Sequence, residues 1–225
     1  MGDTEIKLLS ILIAATPDRE EMMNALIASI KAQPGADRVE VLFDMSPHKD
    51  DGGPTRGAKR NKLLWNARGE YICYVDSDDK VSDGTEHAPY VPSIIHAIEE
   101  GPVFDTELPT PDAEIAVYSP HIGDRVRPDC VGITGEIRFH DDPHLLFYHS
   151  MRHSLDWWDD AATAEPGKAQ YYRTPNHLNP VKRTLALRAE FADMQWSEDH
   201  DYARRLHKII ATESPIDHPI YYYCK

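Results

Sequence analysis

The chain opens with short apolar runs that alternate with segments of helical period. Residues 8–14, LLSILIA, form an unbroken apolar run bounded by ATPDR, which predicts a strand. Met22, Met23, Leu26, Ile27 and Ile30 then recur at helical spacing until QPGADR ends the pattern. VEVLF (39–43) predicts a second strand, followed by the Gly- and Pro-rich loop DMSPHKDDGGPTRG, long enough to predict ligand contact. AKRNKLLWNAR (58–68) predicts a helix closed by Gly69 as a C′ glycine. YICYV (71–75) is apolar on both alternating faces, as in a central parallel strand covered by helices on each side. VPSIIHAIEE (91–100) predicts another helix, stopped by Gly101. Strands separated by helices place residues 1–100 in the α/β class, with ligands expected beyond the carboxyl ends of the strands.

The pattern loosens in residues 101–225. AEIAVYS (113–119) predicts a strand, and DRVRPDCVGITGEIRFHDD (124–142) alternates like a hairpin or meander. An aromatic and histidine-rich stretch, HLLFYHSMRHSLDWWDD, precedes AEPGKAQYYRTPNHLNP, which reads as a loop. EDHDYARRLHKII (198–210) predicts a helix and DHPIYYYCK a final strand. No repeat or low-complexity linker divides the chain, so residues 1–225 are read as one domain with a variable second half.

Composition narrows the class. With 41% hydrophobic and 28% charged residues, the chain has the make-up of a folded globular protein. Cys73, Cys130 and Cys224 are widely spaced and form no CxxC pair, so a disulfide framework is not indicated and a reducing, cytoplasmic setting is expected. The N-terminal apolar run is short, flanked by acids and without a basic leader, and no transmembrane segment is expected. A formal net charge of −14 argues against a broad basic grip on nucleic acid, so an anionic ligand needs a few placed cations or a metal.

The apolar run 71–75 ends in Asp76, Ser77, Asp78 and Asp79. Asp and Ser favour turns and helix caps, which is one reading. An EF-hand loop starting at Asp76 would need Gly at its sixth position and Glu at its twelfth, where Val81 and His87 stand, so that reading fails. The remaining reading is a hard divalent cation, Mg²⁺ or Mn²⁺, held together with a diphosphate; the ion relieves the repulsion among the carboxylates and stabilises charge on a departing nucleotide.

The block GAKRNKLLWNARGEYICYVDSDD (57–79) resembles, in order and spacing, the Arg-Asn helix, Gly-Glu-Tyr-Ile strand and DxDD turn of family 2 glycosyltransferases with the A-type fold. The opening LLSILIAATPDREEMMNALIASI is similar to that family's first strand, Thr/Arg turn and helix, FADMQWSEDHDYARRLH resembles its ED motif, and IDHPIYYYCK its terminal tyrosine-rich strand. The resemblance implies an α/β fold with a mostly parallel central sheet flanked by helices. Residues 1–100 would bind the nucleotide sugar, and residues 101–225 would bind the acceptor and supply the catalytic base. It implies an inverting, metal-dependent, nonprocessive hexosyl- or pentosyltransferase that moves one sugar from a nucleoside-diphosphate sugar, with a UDP-sugar favoured, to an acceptor hydroxyl. A glycan, lipid-linked sugar, protein, small molecule or modified nucleobase would serve as acceptor.

The same resemblance implies roles for single residues. Asp76 lies near the donor's ribose or diphosphate, Asp78 is the principal ligand of Mn²⁺ or Mg²⁺, and Asp79 either orients its neighbour or caps the turn. Thr16, Arg19 and Asp44 line the donor crevice, Asp44 toward the base, although DMSPHKDDGG departs from the family's usual Asp-Asp-Gly-Ser turn. Arg60 helps hold the diphosphate, while Lys59 and Lys62 read as a solvated face and Trp65 as packing. Asp199 is the general base and Glu198 either supports it or contacts the acceptor. His177 faces the metal or diphosphate, or is simply an exposed loop histidine. Trp157 and Trp158 stack on the acceptor or pack internally, and the pairs His140/His144 and His149/His153 form only a weak zinc pattern. Two other classes share the architecture. A noncatalytic nucleotide-sugar-binding protein would lack turnover, and a pyrophosphorylase would carry a Gly-rich loop after the first strand, where IAATPDREE has no glycine.

Overall fold

A computed structural model describes residues 7–107, 117–124, 126–138, 145–153 and 169–224. In chain order its elements are β1 (Leu9–Ala14), α1 (Glu20–Lys31), β2 (Val39–Asp44), α2 (Arg56–Asn66), β3 (Tyr71–Tyr74), β4 (Lys80–Val81) and α3 (Tyr90–Glu99). They continue as β5 (Phe104–Glu107), β6 (Val117–Pro120), β7 (Cys130–Arg138), β8 (Leu145–His149), β9 (Ala169–Arg173), β10 (Val181–Lys182), α4 (Arg183–Ala189), α5 (Glu198–Leu206) and β11 (Thr212–Cys224).

The strand order is β2-β1-β3-β10-β7-β11-β5-β6. β1 runs parallel to both β2 and β3, with Leu12 opposite Leu42 and Tyr74, so the carboxyl ends of all three strands open on one crevice. That is the predicted α/β class, with helices on both faces of the sheet. Alternation along the strands builds two cores. Ile11, Ile13, Tyr71 and Cys73 face Met23, Leu26, Ile30 and Ile94 of α1 and α3. Leu12, Ile72 and Tyr74 face Leu64, Ala186, Tyr202 and Leu206 of α2, α4 and α5. The short antiparallel strand β10 joins β3 to β7, and β11 runs parallel to β7. β4 pairs with β11 at Tyr221 and Tyr222, which returns the end of the chain to the acidic turn.

Several expectations change. AQYYR, read as loop, is strand β9 on β8, and β4, β5, β8, β10 and α4 went unpredicted. Of the predicted strand 113–119 the described part is β6, and His140, His144, Trp157 and Trp158 lie outside the described residues. Trp65 is 57% exposed and donates to Glu190, so it is not core packing. Gly69 does not close α2 as a left-handed cap: the helix ends at Asn66, and Gly69 is absent from the residues of positive φ. The glycine is needed for space, since a Cβ there would lie 2.5 Å from the amide nitrogen of Ser10. Its own N–H donates to Ser10 Oγ, which in turn donates to Glu40.

Because space and not φ is limiting, Gly69→Asn will destabilise as much as Gly69→Ala, by about 1–3 kcal/mol in urea unfolding. A near-native Gly69→Asn would restore the helix-cap reading.

Candidate active site

The acidic turn begins where β3 is still held on both sides: Val75 N–H donates to Leu12 O and Tyr74 N–H to His177 O. Its three carboxylates then diverge. Asp78 meets Arg19 at 2.9 Å and both are partly exposed. Asp76 accepts from Arg60 at 3.0 Å. Asp79 is buried, accepting from the Tyr221 hydroxyl at 2.6 Å and from Cys224 N–H at 2.8 Å. The same hydroxyl accepts from Asp76 N–H, so Asp79 ties β11 to the main chain of the turn. Burial, then the charge of Asp76, pushes the Asp79 carboxyl up to about 7.

Arg60 links this turn to the other acidic pair. The Thr55 side chain caps α2, and the helix carries Arg60 inward to 3% exposure. One guanidinium nitrogen donates to Glu198 Oε1 at 2.8 Å and the other to Asp76 Oδ1 at 3.0 Å. The rings of Tyr74 and Phe191 lie against it, 5.8 and 5.5 Å from its central carbon. Burial opposes the charge on Arg60, but Asp76, Glu198 and Asp199 outweigh it and keep the group protonated. Arg60 is therefore engaged by protein carboxylates at the crevice wall. Its neighbour Asn61 donates to Phe191 O and accepts from Phe191 N–H, both at 2.8 Å, pairing with that backbone as another peptide would. Gly57 N–H donates to Met194 O, and a Cβ on Gly57 would fall 1.9 Å from Ala192 O. Helix α2 thus binds the segment that delivers α5.

Ser197, immediately before α5, has φ of 62°, a left-handed conformation seldom adopted by serine. Glu198 is buried against Arg60, while Asp199 stays partly open with Arg173 3.5 Å away. Burial raises the Asp199 carboxyl, but His177, Arg173 and Arg60 outweigh it and hold the group ionised at neutral pH. His177 is buried, which overturns its reading as an exposed loop histidine. The loop around it is fixed by Asn176 N–H donating to Asn179 Oδ1, Leu178 N–H to Asn176 Oδ1 and the Asn179 amide to Val131 O. Its Nε2 lies 3.5 Å from Asp76 Oδ2, and neither ring nitrogen has a hydrogen-bond partner among the described residues. Burial, then Arg60, lowers its pKa, leaving a neutral imidazole between the two acidic motifs.

No protein-family model and no curated protein matches the chain. Solved structures do. A structure of Staphylococcus aureus TarS 1-349 superposes with a TM-score of 0.56 at 15% identity, covering 96% of this chain and 60% of that one. TarS 1-349 in complex with UDP-GlcNAc gives 0.55 at 14% identity, with coverage of 96% and 58%. The complex with UDP gives 0.56 at 14%, with coverage of 96% and 60%. The chain has the A-type fold of nucleotide-sugar transferases. It spans about 60% of the length of these TarS 1-349 structures.

Within this A-type fold the crevice beyond β1 and β3 is lined by Thr16, Arg19, His48, Lys49, Arg56, Arg60, Asp76, Asp78, Gln195 and Tyr223, among others. Of the expected donor residues, Thr16, Arg19, Arg60 and Asp76 meet there, and Asp44 does not. The Asp44 carboxylate is taken by Lys62 at 2.7 Å and by the amide and hydroxyl of Ser46, and it faces a separate groove with Leu42 and Phe43. Lys59, expected on a solvated face, is buried, with its ammonium 2.7 Å from Ala15 O and 2.5 Å from Ser46 O. Lys62 is exposed as expected but paired with Asp44. Arg56, which sequence reading passed over, lies 3.7 Å from Glu198 and 5.1 Å above the ring of Trp196, itself 70% exposed. Its position next to the Gly57 close approach was the available signal.

Arg60→Met leaves Asp76 and Glu198 facing one another without their shared cation. The expected loss is about 3–5 kcal/mol in denaturant unfolding, and Glu198→Gln on that background should restore part of it. Asp79 supplies a pH test. The folded chain keeps a proton on Asp79 up to about 7, whereas the unfolded carboxyl loses it near 3.8, so this group's contribution to stability falls as pH rises across that window. The melting temperature of Asp79→Asn relative to wild type should therefore rise from pH 4 to pH 7. A flat difference would contradict the raised carboxyl.

Proposed function

We propose that the protein is an inverting glycosyltransferase that moves one sugar from a nucleoside-diphosphate sugar to an acceptor hydroxyl. One observation carries the reading: a single buried guanidinium joins Asp76 at the donor crevice to Glu198, directly before Asp199. The complexes of TarS with UDP-GlcNAc and with UDP support a uridine nucleotide as donor.

The crevice offers donor types suited to a divalent cation, although Asp76, Asp78 and His177 do not converge on one point in this structure. Asp76 and Asp78 offer hard oxygen ligands, and buried His177 offers an imidazole with no hydrogen-bond partner among the described residues. These three would hold Mn²⁺ or Mg²⁺, which when bound supplies positive charge against the diphosphate as it leaves. Arg19 and Arg56, both partly exposed on the crevice wall, add to that charge. Asp199 accepts the proton of the acceptor hydroxyl. The acceptor oxygen bonds to the anomeric carbon, the bond to the diphosphate oxygen breaks with its electron pair, and the nucleoside diphosphate departs. Attack from the face opposite the leaving group inverts the anomeric centre. Glu198, turned inward to Arg60, positions the helix start. Among the described residues no helix is long and apolar enough to cross a membrane.

A screen of nucleotide sugars with Mn²⁺, read by release of nucleoside diphosphate to water or to added acceptors, tests the reading. Asp199→Asn should lower transfer by about 100- to 10,000-fold and spare Mn²⁺-dependent UDP binding in calorimetry. Asp78→Ala should weaken that binding. Full transfer by Asp199→Asn would remove its role, and no turnover of any donor by the wild type would favour a noncatalytic binding protein.

A further inference from the structure

Asp44 and the loop after it divide the crevice region in a way that bears on how a donor is recognised. Asp44 ends β2 beside Ala14, where a carboxylate would be well placed to reach a base. Its two oxygens are already satisfied, one by the Lys62 ammonium and the other by the amide and hydroxyl of Ser46. This closes the chain into a turn and directs the carboxylate to the groove of Leu42, Phe43 and Asn66, on the side away from Asp76 and Asp78. Burial raises the Asp44 carboxyl, but Lys62 and the two hydrogen bonds from Ser46 outweigh it and hold the group below the ordinary range.

The main crevice is walled at this level by the next residues. Pro47, His48, Lys49 and Pro54 line it together with Thr16 and Arg19. The loop is built to keep them there. Lys59, buried on α2, donates to Ser46 O and Ala15 O, which fastens the start of the loop to the end of β1. The amides of Asp51 and Gly53 both donate to His48 O. A Cβ on Gly53 would lie 2.1 Å from Pro47 O, so the two ends of the loop touch through backbone and only glycine fits. Two rigid pyrrolidine rings and one imidazole on a fastened loop suit a planar heteroaromatic ring with a polar edge. The carboxylates, Arg19 and Arg56 account for the charged end of a nucleoside diphosphate.

We propose that the 47–54 loop reads the donor's nucleobase, with His48 meeting its polar edge and Pro47 and Pro54 forming apolar walls, and that Asp44 is a structural residue of the β2 turn. The inference rests on the nucleotide-sugar reading above and names its base-recognition element.

The test is calorimetric titration of wild type, His48→Ala, His48→Gln and Asp44→Asn with UDP, CDP, GDP and ADP in Mn²⁺, and with inorganic pyrophosphate in Mn²⁺ as a base-free probe. Wild type should prefer one nucleotide. His48→Ala should weaken that nucleotide by about 3- to 10-fold, the loss of one hydrogen bond, while leaving pyrophosphate within about 2-fold. His48→Gln, which keeps a donor and an acceptor, should recover part of the loss. Asp44→Asn should keep the order of preference. Reordered preference in Asp44→Asn, or undiminished preference in both His48 variants, would overturn the inference while leaving the nucleotide site intact. If wild type binds neither nucleotides nor pyrophosphate, the functional reading itself falls and the inference falls with it.

Discussion

A buried arginine between two carboxylates is the constraint on which the site is built. Arg60 is contributed by α2, Asp76 by the turn after β3 and Glu198 by the first turn of α5. Removing a guanidinium from water is costly, and the cost is offset only when its donors meet charged acceptors in good geometry. Any arrangement that separates α5 from the β3 turn leaves at least one of the three charges buried and unpaired. The pairing therefore adds little net stability over an apolar core, yet it strongly disfavours misplacement of either acidic motif. A lysine could not replace it, because one ammonium lacks the planar fork that reaches both carboxylates at once.

The supporting contacts show why the whole N-terminal block acts as a unit. Asn61, next in sequence, satisfies both polar groups of the Phe191 backbone, and Gly57, one helical turn earlier, permits α2 to touch Ala192 and Met194. Phe191 stacks on Tyr202 of α5 with ring centroids 4.2 Å apart, so the clamp on that segment is carried into the helix bearing Asp199. Gly57 and Asn61, four residues apart, share one face of α2, next to the face that carries Arg60. The sequence of α2 thus encodes a spacing between two distant acidic motifs, and the local chemistry of each motif is secondary to it.

How far the sequence could be read follows from where the forces act. β1, α1, β2, α2, β3 and α3 were legible because each buries a face against its neighbours at a regular period, and β1 and β3 are apolar on both faces. β9, β10 and α4 were not, because they are short and their pairing partners are set by tertiary contacts that no local pattern records. In the site, Asp76, Asp78 and Asp199 could be named from spacing and resemblance; Asp76 and Asp199 lie around Arg60 and His177, and Asp78 pairs with Arg19. Asp44 and Lys59 were misread for a shared reason. A residue's type shows its charge but not its partner, and both are held by backbone or side-chain groups of the β2 turn. The exposed-loop reading of His177 fails because Pro and Asn around a histidine look like solvent-facing loop, whereas Asn176 and Asn179 here form internal bonds beside the buried ring.

The chain's charge gives the last constraint. A net −14 repels an anionic ligand at long range, so binding must come from local cations close enough to escape the average field. The crevice gathers Arg19, Lys49, Arg56, Lys59 and Arg60 within one lining. They do not act alike. Lys59 is held by backbone carbonyls and Arg60 by buried carboxylates, so both fix the shape of the wall. Arg19 pairs with Asp78 at 2.9 Å, both partly exposed, whereas Arg56, itself partly exposed, lies 3.7 Å from buried Glu198, which keeps its bond to Arg60. An exposed pair is worth about 0–1 kcal/mol, so Arg19 can turn toward an anion at little cost, and Arg56 can do so without leaving Glu198 unpaired. Rigid cations that set the geometry and loosely paired ones that can turn to the ligand are thus separated by burial alone, on adjacent turns of the same fold.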